Sequence, residues 1–135
     1  MRKVMIFGTF DGIHEGHRDF FRQASEHGDH VMAVVARDKT VHAVKGKMPV
    51  CDECERIAAM LRVDEIDDVI FGYEGDDKLQ VIRDHTPDVI LLGYDQEAFV
   101  NELYDFIERE KMACTIVRGQ SFHPEKYKSS LINEQ

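Results

Sequence analysis

Short apolar runs alternate along the chain with amphipathic stretches. Val4 to Phe7 (VMIF) reads as a buried strand entering Gly8, and Val31 to Ala36 (VMAVVA) as a second. Asp68 to Phe71, Asp88 to Gly93 and Cys114 to Val117 supply three more. Between them, His17 to His27 predicts a helix with Phe20, Phe21 and Ala24 on one face. Asp52 to Leu61 predicts another, with Ile57, Met60 and Leu61 at helical spacing. Asp77 to His85 is a short helix stopped at Thr86-Pro87, because a residue before proline is pushed out of helical geometry. Glu97 to Lys111 has the clearest period, with Phe99, Leu103, Phe106 and Ile107 on one stripe. The segment DKTVHAVKGKMP, from Asp38 to Pro49, reads as a polar, lysine-bearing loop, and the tail KSSLINEQ as one helical turn.

Strands that are apolar throughout and separated by helices predict a parallel sheet covered on both faces. The expected architecture is a Rossmann-like, open, doubly wound α/β sheet of about five strands. No linker, repeat or low-complexity tract breaks the chain, so residues 1–135 are expected to form one domain. In such sheets ligands sit beyond the carboxyl ends of the strands, near the reversal of strand order. The polar candidates follow those ends: GTFDGIHEGH, ARDKT, GYDQ and RGQ.

Charge narrows the function. A net charge of −9 argues against a nucleic-acid or anionic-membrane surface, which needs a broad basic face. It leaves room for a local phosphate pocket built from a few cations. No apolar run is long enough to span a bilayer, and the one after Arg2 and Lys3 is too short for a signal peptide. A cytoplasmic protein with reduced thiols is therefore expected from 3 cysteines. Cys51 and Cys54 form a C-x-x-C, open to redox, metal or purely structural readings; zinc would need two more ligands, and Cys114 is the only other thiol.

The chain contains neither GxxxxGK[ST] nor a GxGxxG after the first strand. GTFDGIHEGH, from Gly8 to His17, has to be read by its own chemistry. Gly8 permits a sharp turn and close approach of a ligand. His14 and His17, three apart, can face one point if a helix begins near Gly16. A helix N-terminus with exposed N–H groups and a partial positive charge is a ready anion site. A zinc pair or two surface histidines are the alternatives.

GTFDGIHEGH matches the GxFDxxHxGH signature of the HxGH nucleotidyltransferases, which move cytidylyl or adenylyl groups onto small metabolites. This resemblance implies that His14 and His17 stabilise the α-phosphate and pyrophosphate during transfer. It implies further catalytic roles for Lys45 and Arg118, and nucleotide contacts from Gly8, Thr9, Phe10, Asp11, Gly16, Lys47, Gly93, Asp95, Ser129 and Ser130. Lys45-Gly46-Lys47 would be carried to the triphosphate on a mobile loop, although two solvated lysines would look the same. Asp38 would order that loop. Arg56, on the helix followed by Val63-Asp64, would meet a phosphate or a neighbouring subunit, or else pair at the surface with Asp52. Asp38, Arg56, Tyr94 and Tyr127 stand as candidate acceptor or subunit contacts.

LGYDQ, at Leu92 to Gln96, and PEKYKSS, at Pro124 to Ser130, most closely resemble the archaeal-type FAD synthases within that family. The related glycerol-3-phosphate cytidylyltransferases have a C-terminal signature resembling RTxGxSTT. Here Arg118 is followed by Gly119-Gln120 and a longer insert before Ser129-Ser130, which favours the FAD-synthase-like group. The expected activity is transfer of a nucleoside monophosphate from ATP or CTP to a small phosphorylated acceptor such as FMN. Pyrophosphate is released, and Mg²⁺ is held largely by the triphosphate, with Asp11 as a water-mediated or loop-ordering contact and no metal site of protein side chains. Cytidylyl transfer to a polyol or sugar phosphate, and a nucleotide sensor without turnover, are the alternatives. Relatives are often dimers, so a homodimer is expected. Flavin recognition would draw an apolar wall from Tyr94, Phe99, Phe122 and Tyr127, with burial in the core as the alternative for all four.

Overall fold

A computed structural model describes residues 1–73, 79–94, 96 and 100–120. In chain order the elements are β1 (Lys3–Gly8), α1 (Glu15–His27), β2 (His30–Val35), α2 (Asp38–Lys45), α3 (Glu53–Met60), β3 (Asp68–Phe71), α4 (Gln80–His85), β4 (Val89–Leu92), α5 (Val100–Arg109) and β5 (Thr115–Arg118). The strands form one 5-stranded sheet in the order β3-β2-β1-β4-β5. Every pairing is parallel, so the sheet is Rossmann-like and doubly wound, as the apolar runs foretold.

The apolar runs are explained by burial on both sides. Val4 and Ile6 of β1, Val31, Ala33 and Val35 of β2, and Val89 and Leu91 of β4 pack with Phe21 and Ala24 of α1 and Met60 of α3. The alternate residues Met5, Met32, Val34, Ile90 and Leu92 pack with Val81 and Ile82 of α4 and Leu103 and Phe106 of α5. Full burial of one such ring as Phe21 contributes about 1.5–3 kcal/mol. Gly28 closes α1 where a Cβ would lie 2.5 Å from the Arg2 carbonyl oxygen, so the turn into β2 can pass close beneath β1. Strand order reverses between β1 and β4, so the GTFDGIHEGH segment leaves the sheet at its switch point.

The expected loop at 38–49 is corrected: its first part is helix α2. Only Val41 of α2 is fully buried, which leaves no apolar stripe to reveal a helix. Other features hold it. Glu53 accepts the Asp38 N–H at 2.9 Å, and Gly46, at φ +77°, ends the helix by donating its N–H to the His42 carbonyl at 2.8 Å. Lys45 is thus the last residue of a helix, not a passenger on a loop.

Candidate active site

The site is built on the turn after β1. Phe10 takes a left-handed conformation, φ 54°, rare for a bulky residue. Its ring folds back so that a Cβ on Gly8 would meet it at 2.7 Å, which explains the glycine. The buried ring lies edge-on to His17 at a centroid distance of 5.8 Å and leans on Phe21 at 5.6 Å. The Phe10 ring is therefore an aromatic support for the histidine.

His14 is the N-cap of α1. Its Nδ1 accepts the N–H groups of Gly16 at 3.1 Å and His17 at 3.3 Å, while His17 Nδ1 accepts the His14 N–H at 3.3 Å. The two rings stack with centroids 3.8 Å apart. This is a capping box made from two imidazoles. Two consequences follow. The helix N–H groups of Gly16 and His17, expected to be open to an anion, are occupied by His14. Each Nδ1 accepts a hydrogen bond and so carries no proton, which places the proton of each neutral ring on Nε2.

Burial holds the His17 pKa down to about 4; the neighbouring His14 and Lys45 push the same way, against a backbone hydrogen bond with Gly12. His17 is thus a neutral donor at neutral pH. Lys45 lies within charge range of His17, Asp11, Lys47 and Arg56. Desolvation lowers its ammonium pKa most, Asp11 opposes, and Lys47 and Arg56 add to the lowering. The structure therefore brings His14, His17 and Lys45 together, with Lys47 just beyond the helix end.

Asp11 orders a loop. Its carboxylate accepts the N–H groups of Val50 at 2.7 Å and Cys51 at 2.8 Å. Burial alone would raise its pKa, but these bonds and the charge of Arg56 bring it below the usual range. Arg56 overturns the surface reading: its side chain is 0% exposed and paired with Asp38 at 2.8 Å. Asp52, its proposed surface partner, instead caps α3 by accepting the Glu55 N–H at 2.8 Å. Arg56 faces inward, its guanidinium committed to Asp38 and to the carbonyls of Thr9 and Cys51. Asp38 is half-buried, its carboxylate committed to that pair.

Across the switch point, Arg118 at the end of β5 donates to the Gly93 carbonyl at 2.9 Å and to the Gln96 carbonyl. It binds the loop after β4 and remains exposed. Gln96 in turn accepts the Gly93 N–H at 3.1 Å. Tyr94 is 42% exposed beside it. Asp95, Ser129, Ser130 and Tyr127, with Phe99 and Phe122, lie outside the described residues. Among those described, no group of three His, Cys, Asp or Glu side chains gathers to hold a metal.

Two residues escaped the sequence reading. Glu53 accepts from Arg37 at 3.2 Å as well as capping α2. Gln23 of α1 pairs with the backbone of Gln120, accepting its N–H at 2.8 Å and donating to its carbonyl at 3.0 Å. Neither carries a motif; the only hint was polar residues beside expected strand ends. A groove of about 670 Å³ bordered by Asp38, Asp52 and Glu53 lies along α2 and α3. Lys39 and His42 share that lining, and its carboxylates are engaged by Arg56, Arg37 and the Glu55 N–H.

A stacked imidazole pair thus lies at the switch point of a doubly wound sheet, with a lysine in charge range, and family membership makes the protein a nucleotidyltransferase. The chain belongs to the cytidylyltransferase-like family, whose model matches residues 5–135. It is 34% identical over 135 residues to an FAD synthase of Thermoplasma volcanium, covering 100% of this chain and 94% of that one. An FAD synthase of Pyrococcus abyssi is 38% identical over 116 residues, covering 86% and 78%. Among solved structures, a protein of Thermoplasma volcanium described as a lipopolysaccharide core biosynthesis protein aligns with a TM-score of 0.83 at 36% identity, covering 90% of this chain and 98% of that one. Pantoate–β-alanine ligase of Francisella tularensis, at 12% identity and a TM-score of 0.62, shares the fold alone. No helix among the described residues is long and apolar enough to cross a membrane.

Proposed function

We propose that the protein transfers the adenylyl group of ATP to FMN, forming FAD and releasing pyrophosphate. The observation that carries this reading is likeness to FAD synthases over the full length of the chain, with the imidazole pair intact. A phosphate oxygen of FMN attacks the α-phosphorus of ATP. The new P–O bond forms as the bond from the α-phosphorus to the bridging oxygen breaks, and pyrophosphate leaves with that electron pair. Such a transfer asks for positioning and charge stabilisation rather than a covalent intermediate.

On this reading the Nε2–H groups of His14 and His17 donate to the α-phosphate and bridging oxygens, where negative charge builds. Neutral donors suit this task because they need not lose a proton to work. Lys45 and Lys47 offset the charge of the leaving pyrophosphate. Arg118 holds the loop after β4 against β5, where acceptor and base are recognised. Gly16 leaves space for the nucleotide to approach the backbone, and Gly8 gives room to the Phe10 ring that backs His17. Asp95, Ser129 and Ser130 complete the nucleotide contacts. A divalent ion such as Mg²⁺, which prefers hard oxygen ligands, would be held by the triphosphate and would supply charge neutralisation there. Both Asp11 oxygens already accept N–H groups, so its role is to order the loop. The working form is a homodimer in the cytoplasm.

Pyrophosphate release measured with ATP and with CTP, over FMN, glycerol 3-phosphate and sugar phosphates, tests the reading. FAD should accumulate with ATP and FMN alone. Turnover with CTP and a polyol phosphate would replace it with cytidylyl transfer, and nucleotide binding without turnover would make the protein a sensor.

A further inference from the structure

Arg56 is the only buried charged residue described, 1% exposed, and nothing in the transfer chemistry uses it. Its guanidinium spends its fork on three separate segments. Nε donates to the Cys51 carbonyl at 3.1 Å, one terminal nitrogen to the Thr9 carbonyl at 2.8 Å, and the other to Asp38 Oδ1 at 2.8 Å. Each segment leads to a different part of the site. Thr9 begins the turn that carries Asp11 and His14. Asp38 is the first residue of α2, whose last residue is Lys45. Cys51 gives its carbonyl to Arg56 and its N–H to Asp11, so the backbone of one residue is gripped on both its flanking peptides.

Burial of a charge is poor evidence for stability, since an apolar side chain of similar volume often serves as well. What a planar five-donor fork supplies, and an apolar or lysine side chain cannot, is a fixed angle between three acceptors. We propose that Arg56 is a positioning residue that sets the α2 helix, and so Lys45, against the histidine-bearing turn. This rests on the phosphate-binding reading of His14, His17 and Lys45.

The test is a double-mutant cycle between Arg56→Lys and Lys45→Ala, read in MgATP binding by calorimetry at a temperature where circular dichroism shows each variant folded. If Arg56 acts through the placement of Lys45, each single variant weakens binding about tenfold, and the double variant binds no worse than Lys45→Ala. Asp38→Asn, which leaves the guanidinium and its two carbonyl bonds in place, is the second variant should Arg56→Lys fail to fold; its smaller loss should vanish in the Lys45→Ala background. The exposed Arg62→Lys is the control and should bind as wild type. Wild-type affinity in Arg56→Lys or in Asp38→Asn, or losses that multiply to about a hundredfold in either double variant, would overturn the proposal. The cycle needs no acceptor. An error about FMN would silence transfer in the wild type and leave the cycle readable, whereas wild-type protein that fails to bind MgATP would remove the phosphate-binding reading and this proposal with it.

Discussion

His14 and His17 cap each other: each ring accepts through Nδ1 the backbone N–H of the other residue. One pair of side chains thereby starts a helix and fixes its own tautomers. Capping and donation sit on different ring nitrogens, so they can be separated by substitution.

Asparagine places its carboxamide oxygen near where an imidazole Nδ1 lies and is among the best N-caps. His14→Asn should therefore fold as wild type, while His14→Ala should lose about 1 kcal/mol of stability. Both should lose turnover about a hundred- to a thousandfold, because each lacks the Nε2 donor. His17→Ala should likewise lose most turnover with a much smaller change in triphosphate affinity. Urea unfolding beside single-turnover kinetics checks this; an active His17→Ala enzyme would remove the assigned role.

Stability should fall on the acid side in a way traceable to His17. Its folded pKa is about 4, against 6.5 for an ordinary imidazole. Below pH 6.5 the unfolded chain takes up a proton that the folded chain refuses. The contribution is complete above that value and is lost as pH falls toward 4, by at most about 1.4 kcal/mol per pH unit. His17→Asn removes the group, so its unfolding midpoint should change less between pH 7 and pH 5. Equal slopes in the two proteins would show that some other group governs the acid limb.

Gly8→Ala tests the aromatic support. The added Cβ falls 2.7 Å from the Phe10 ring, so the ring must move and His17 loses its backing. A stability loss of about 1–3 kcal/mol is expected, as for other overpacked sites. Gly8→Ala combined with Phe10→Leu should recover part of that stability but not the turnover, which would place the effect at the ring and not at the strand.

The strands and the histidine motif were legible because each imposes its own pattern: unbroken apolar runs for a doubly covered sheet, fixed spacing for the motif. Three features were not. Helix α2 buries only Val41, so periodicity had nothing to register. Arg56 looked like a surface residue because arginine usually is one; its burial depends on carbonyls 5 and 47 residues away in sequence. Histidine is not a usual N-cap, so the closing of the helix tip by His14 was hidden behind its expected role as a ligand contact.

The thiols should behave independently. All three are free; Cys54 is exposed, whereas burial and Asp88 raise Cys114 to about 11, and burial, Asp11 and Glu55 raise Cys51. A disulfide-exchange reagent near neutral pH should label Cys54 first and the other two slowly. Peroxide treatment should leave all three titratable; rapid joint loss of Cys51 and Cys54 would restore the redox reading of their spacing.

Because Arg56 clasps carbonyl oxygens at Thr9 and Cys51 rather than their side chains, the identities of residues 9 and 51 are free to drift without loosening the joint. Descendants of this chain could change the side chains at those two positions while inheriting the same frame behind them.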